Sequence, residues 1–244
     1  MGLPIVNLLY RHLAAVDLLT PVWSAVRPAL ESGAISRGIP LVSRNARALS
    51  PPTWNAATVF NLLGIDRATR RQAERTVLAY QDGNTANLVI LHALRRCLRN
   101  GEDTLVSTVA TGDSARSANI GVRLPPAPPK SDISPEVWSL IQALSTQHGG
   151  DVIPTLYRHF ALTPQLLAVT AVLLCERDVT AGGAAFAKSA QRQATTLPLD
   201  VRPLLELSLS RRRELIDIIE LFIRTIADML FVISLLDDLL KPPS

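Results

Sequence analysis

Apolar residues in this chain return every three or four positions and almost nowhere every second one. That period predicts helices throughout and almost no strand. A first helix is expected over about 4–15, with Pro4 suited to its first turn. A second runs over 17–31, with Asp17 as its cap and Gly33 as its stop. The pattern over 34–50 is mixed, and Pro51-Pro52 reset the chain before a short helix from Trp54 to Leu63. Gly64 ends that helix, and Asp66 caps a long one over 67–81. Asp82-Gly83-Asn84 is expected to interrupt it before Ala86 to Arg99 continue.

Polar, small residues follow, and then Pro125-Pro126-Ala127-Pro128-Pro129, a stiff extended spacer. Ser134-Pro135-Glu136 opens the next helix, which reaches about His148 and is broken by Gly149-Gly150. Asp151 is a candidate N-cap for the helix through Leu156. Further helices are expected over 164–177, 182–194, 201–208 and 211–239. The small residues between Ala181 and Ala190 suit close helix packing.

The chain repeats itself. Leu9-Tyr10-Arg11-His12-Leu13-Ala14 recurs as Leu156-Tyr157-Arg158-His159-Phe160-Ala161, 147 positions later. A weaker echo lays Arg71 through Leu88 on Arg212 through Met229, so that Asn87 faces Asp228. The expected architecture is therefore all-α, with two similar repeats forming a pseudo-dimer. The first repeat covers 1–100, a Pro-rich linker 101–133 and the second repeat 134–244. A cleft at the pseudo-two-fold axis is lined by equivalent elements with different residues, and those differences are where chemistry is sought.

Composition narrows the function. The 244 residues are 48 % hydrophobic, and the mean hydropathy is +0.22. Leu215 to Leu236 is apolar enough to suggest a membrane span, but Asp217, Glu220, Arg224 and Asp228 draw one polar stripe along it. Such a stripe argues against lipid and for a core helix with part of the stripe on a polar cleft. The net charge of +4 is carried diffusely, with no basic run longer than Arg211-Arg212-Arg213. It argues against nucleic acid and favours a small anion. Cys97 and Cys175 make no metal-ligand pattern, so no metal, no cofactor and a cytoplasmic setting are expected.

Among residues able to do chemistry, Asp151 stands first. It follows two glycines at a helix start, and its repeat partner is Pro4, so only one half carries the carboxylate. Ionised there, it can take a proton from water. Asn84 and Asn87 lie three apart and carry both donor and acceptor. Asn87, amid Ala86-Asn87-Leu88-Val89-Ile90-Leu91, needs a partner more than Asn84 does. Arg11 and Arg158 can bind a carboxylate; since both halves keep the Arg-His pair, its simpler role is to hold helix junctions.

Taken together, Pro4 to Ala14, Asn84 to Leu94 and Asp151 to Ala161 resemble the group I 2-haloacid dehalogenases, which act on both D- and L-2-haloacids. The resemblance implies a hydrolytic enzyme for short 2-haloalkanoic acids. An Asp activates a water that attacks C2 directly, configuration inverts, and no ester forms. Matched by position, the Asp falls on Asp151 and the Asn on Asn87, with Asn84 as the alternative. Tyr10 and Leu13 fall on the pocket wall of the first half, Phe222 and Ile226 on that of the second, and Gly150 beside the base. The substrate is a small anionic carboxylate, and the exposed face of the 211–239 helix allows a homodimer. The competing reading is a non-catalytic small-molecule-binding or helical interaction protein on the same scaffold. Convergence of Asp151 and Asn87 on one enclosed pocket separates the two. A helical alkylhydroperoxidase-type redox enzyme would need a CxxC, which is missing.

Overall fold

Helix ends in this chain are written by short polar side chains, and a computed structural model of the protein shows which of them act. It describes residues 8–46, 54–100, 124–150, 152–175 and 177–241. Asn55 accepts from the Thr58 amide at 3.1 Å and starts α4 (Ala56–Leu62). Asp66 accepts from the Thr69 amide at 2.7 Å and starts α5 (Arg67–Asn100). Ser134, with Pro135 behind it, starts α6 (Pro135–Thr146). Asp178 caps α9 (Val179–Ala194), three residues earlier than the pattern suggested, and Ser208 caps α11 (Leu209–Leu240). The remaining helices are α1 (Leu8–Ala15), α2 (Leu19–Glu31), α3 (Ala34–Ala46), α7 (Thr155–Phe160), α8 (Pro164–Leu174) and α10 (Arg202–Leu205). The fold is all-α, with no strand among the described residues.

Four expectations are corrected. Asp17 does not cap α2; it sits in a turn at φ +54°, and the capping position falls to Leu18. The mixed segment after Gly33 is helix α3, which keeps Pro40 inside it. Asp82-Gly83-Asn84 do not interrupt anything, because α5 runs unbroken through them and buries Gly83. Propensity against a single interior Gly is only about 1 kcal/mol, which packing overrides. At α7 the N-cap position belongs to Pro154, so that helix starts after, not at, the Asp151 segment. Asp151 itself, like Pro4, lies outside the described residues.

The two long helices α5 and α11 pack along each other, and α9 and α3 close the core against them. They are the two segments that echo one another in sequence. Their inner faces supply Val77, Leu88, Leu91 and Leu94 on one side and Leu215, Phe222, Leu230 and Ile233 on the other, all 1 % exposed or less. At Gly183, α9 comes close to the α11 backbone. A Cβ at Gly183 would come within 2.8 Å of the Asp228 amide nitrogen and 3.0 Å of the Ala227 carbonyl carbon. Glu220 of α11 is tied to α5 through Arg99 at 2.7 Å and Arg95 at 3.4 Å. From Phe222 to Leu240 only Arg224 is exposed and Asp238 half-buried, whereas Leu209, Ser210, Arg213 and Asp217 of the first turns are exposed. None of the described helices is long and apolar enough to cross a membrane.

The repeated hexapeptides take matching burial. Leu9, Tyr10 and Leu13 of α1 are buried, as are Leu156, Tyr157 and Phe160 of α7. Their arginines and histidines differ. Arg11 and His12 are exposed, whereas Arg158 gives two bonds to the Pro128 carbonyl, at 2.6 and 3.1 Å, and His159 Nε2 meets the Pro125 carbonyl at 2.7 Å. The Pro-rich spacer is thus strapped onto α7.

Candidate active site

A narrow cleft of about 40 Å³ opens between α5, α11 and the start of α7. On α5 it is lined by Tyr80 and Asn84, one turn apart, and on α11 by Phe222, Thr225, Ile226 and Met229. The last four follow helical spacing and form one stripe. Leu8 of α1 closes one side, and Val152, Pro154, Thr155 and Leu156 close the other. The repeat reappears in this lining: Leu8 and Thr155 stand 147 apart, and Asn84 and Thr225 stand 141 apart. At each pair one half supplies a different side chain from the other. About three water-sized groups fit the space, which suits a very small molecule.

The candidate residues divide into two shells. Asn84, Phe222 and Ile226 line the cleft. Asp151 lies outside the described residues, but its neighbour Val152 is part of the wall, and Gly149 and Gly150 before it take φ +89° and +78°. Two left-handed glycines in succession turn the chain sharply there, a path closed to side-chain-bearing residues. Gly150 is exposed and does not line the cleft. Asn87 stands behind it: it is 1 % exposed, and its Oδ1 accepts the Tyr10 hydroxyl at 2.8 Å. Tyr10 is turned into the core, edge-on to Trp23, and burial raises its phenol well above the usual range. Leu13 is core at 1 % exposure. The asparagine at the cleft is therefore Asn84, and Asn87 is the partner of Tyr10.

Tyr80 went unnoticed in the sequence. A signal was present, because it precedes Asn84 by four and shares its helical face. The expected break at Gly83 severed that phase. Its hydroxyl lies 2.7 Å from His159 Nδ1. Since the Pro125 carbonyl can only accept, His159 Nε2 carries the ring proton and Nδ1 accepts from Tyr80. Burial pushes the Tyr80 phenol up, and the positive charges of Arg158 and Arg11 work against that. Both repeat arginines thus cast their field on the cleft wall, which favours an anionic occupant. Thr225 gives its hydroxyl proton to the Leu221 carbonyl at 3.1 Å, leaving its oxygen able to accept. Among the described residues, no group of three metal-ligating side chains converges.

No protein-family model matches this chain, and no curated protein matches it either. Solved structures do. A D-2-haloacid dehalogenase mutant superposes with a TM-score of 0.81 at 16 % identity, over 98 % of this chain and 88 % of that one. The fold is shared with D-2-haloacid dehalogenases. Two further structures, a mutant in complex with D-2-CPA and a D-2-haloacid dehalogenase in complex with L-LA, superpose at 0.80 and 15 % identity over the same shares.

Proposed function

We propose that this protein hydrolyses the carbon–halogen bond of short 2-haloalkanoic acids in the cleft between α5, α11 and α7. The observation that carries the proposal is the lining itself. One asparagine on an otherwise mostly apolar wall, beside the Asp151 segment, matches what direct displacement by water requires. The shared fold supports it, and so do neighbours solved with D-2-CPA and L-LA, both bound in proteins of that fold.

In this proposal Asp151 takes a proton from a water held by Asn84. The water oxygen forms a bond to C2 as the carbon–halogen bond breaks, and the halide leaves with the bonding pair. The product is the 2-hydroxy acid of inverted configuration, and the proton passes from Asp151 to solvent. No bond forms between protein and substrate. Phe222, Ile226 and Met229 exclude bulk water, so the nucleophile meets C2 with little competing solvation. The field of Arg11 and Arg158 draws in the carboxylate. Asn87 acts at one remove by fixing Tyr10. The two repeats, 1–100 and 134–244, frame one cleft in a cytoplasmic enzyme, and water is its only co-reactant.

Chloride release from D- and L-2-chloropropionate tests the proposal, with Asp151→Asn and Asn84→Ala measured beside the unaltered protein. Turnover of both enantiomers, lost on Asp151→Asn and reduced about 100-fold or more on Asn84→Ala, is expected. Folded protein that releases halide from neither chloro- nor bromo-acids would leave a small-molecule-binding protein on this scaffold.

A further inference from the structure

A larger cavity, about 300 Å³, lies on the neighbouring face of α11, against α9 and the end of α6. The α11 stripe Leu221, Arg224, Thr225 and Asp228 forms one wall, and Gly183 and His148 face it from the other elements. Among the described residues Thr225 alone is common to this cavity and the cleft. Asp228 is 6 % exposed and takes part in no ion pair within 4 Å among the described residues, and the Arg224 charge reaches it only from farther away. Room for it is made by Gly183, where any Cβ would strike the carboxyl oxygen.

The groups around Asp228 define what would satisfy it. Arg224, one turn earlier on α11, is exposed and lines the cavity. Asp178 at the start of α9 and Asp228 itself repel one another, and Tyr157 of α7 is affected by the Asp228 charge. The Tyr157 hydroxyl lies 2.6 Å from His148 Nε2, which uses that nitrogen. His148 Nδ1 is buried with no partner, although the residue is only 7 % exposed and its ring lines the cavity. Burial holds His148 neutral, with its pKa down to about 4. A buried carboxyl in no ion pair and an arginine on the rim give the cavity two opposite charges for a ligand to meet.

We infer that this cavity binds a small zwitterionic amino acid, its ammonium on Asp228 and its carboxylate on Arg224. A simple amine would leave Arg224 unanswered, and a simple carboxylate would be repelled by Asp228. The zwitterion answers both. Ala184, Ala187 and Ile223 give the cavity an apolar side that suits an aliphatic side chain. Desolvation, with Asp178 adding to it and Arg224 opposing, brings the empty-cavity Asp228 to about 7. An ammonium ligand must therefore displace a proton below that pH.

Titration calorimetry with L-alanine on the full-length protein tests this, with ethylammonium and propionate as the two half-ligands. The inference predicts L-alanine binding at pH 8 that weakens about 10-fold by pH 6, and by at least 10-fold in both Asp228→Asn and Arg224→Gln. Either half-ligand alone should bind at least 10-fold more weakly. Asp228→Asn is close to isosteric, and Arg224→Gln is on the rim, so one folded variant suffices. No heat with 10 mM L-alanine overturns the inference. So does equal affinity for ethylammonium or propionate, or affinity unchanged in a folded variant. The readout is heat of binding without turnover, so its failure is separate from failure of the dehalogenase proposal.

Discussion

Replacing Tyr10 by Phe removes one hydroxyl and little else. The ring stays edge-on to Trp23, with centroids 6.3 Å apart, so packing is retained. What is lost is the donor to Asn87 Oδ1, at a position 1 % exposed, where water cannot take its place. An unpaired buried acceptor costs about 1–3 kcal/mol, and relief of the buried phenol offsets part of it. A net loss of about 1.5 kcal/mol is expected, read from urea midpoints at unchanged m-value. Asn87→Leu alone strands the Tyr10 hydroxyl instead. The double variant strands neither, so the cycle should return a coupling of about 1 kcal/mol. Halide release measured on the same variants separates support from chemistry. Both single variants should keep most of their turnover, whereas Asn84→Ala should not. A midpoint for Tyr10→Phe within about 0.3 kcal/mol of the parent would refute the bond's importance. Loss of turnover in Asn87→Leu with full turnover in Asn84→Ala would refute the assignment of the two asparagines.

Three other outcomes follow from the packing and the buried charges. Gly183→Ala should destabilise the fold by about 2 kcal/mol despite its better helix propensity, because the new Cβ meets the α11 backbone, which cannot rotate away; a thermal midpoint equal to the parent's would contradict that. Ile226→Ala should widen the cleft and shift the preference from chloroacetate toward longer 2-chloroacids, checked by the ratio of kcat/KM values; an unchanged ratio would remove Ile226 from the wall. Acidification has two opposed effects. His92 and His148 are held near 4 against an ordinary 6.5, so the unfolded chain binds their protons first and each costs about 2 kcal/mol between pH 7 and 5. Asp228, raised to about 7 from 3.8, is protonated first in the folded state and returns about 2 kcal/mol over the same range. Asp228→Asn should therefore lose more stability between pH 7 and 5 than the parent does, and equal losses in urea titrations would contradict the burial of that carboxyl.

Much of this fold is visible in short-range signals. Asp66, Ser134-Pro135 and Gly64 mark helix ends by hydrogen bonds and backbone angles that a few residues decide. Where tertiary packing outweighs those signals, the local pattern misleads. Asp82-Gly83-Asn84 has the composition of a turn, yet Gly83 is buried within α5, where the core needs the helix to continue. That error hid Tyr80, since a helix broken at Gly83 has no defined phase across it. Asp17 looks like a cap, but the tight turn between α1 and α2 demands a positive φ from it. Two pairs at the repeat offsets share the cleft, Asn84 with Thr225 and Leu8 with Thr155, although the sequence drew attention to Asn87 with Asp228 and Pro4 with Asp151. The repeat could not say which of two asparagines three apart would face the cleft, because positions i and i+3 lie only about 60° apart around a helix.

The proposed chemistry is tested most directly by a single turnover in ¹⁸O-enriched water, with enzyme in excess over 2-chloropropionate. Direct attack predicts that lactate from the first turnover carries one ¹⁸O atom and that Asp151 carries none. Unlabelled lactate with label in the Asp151 carboxylate would mean attack by the carboxylate and an ester intermediate. The absence of lactate from folded protein would contradict dehalogenation of this acid altogether.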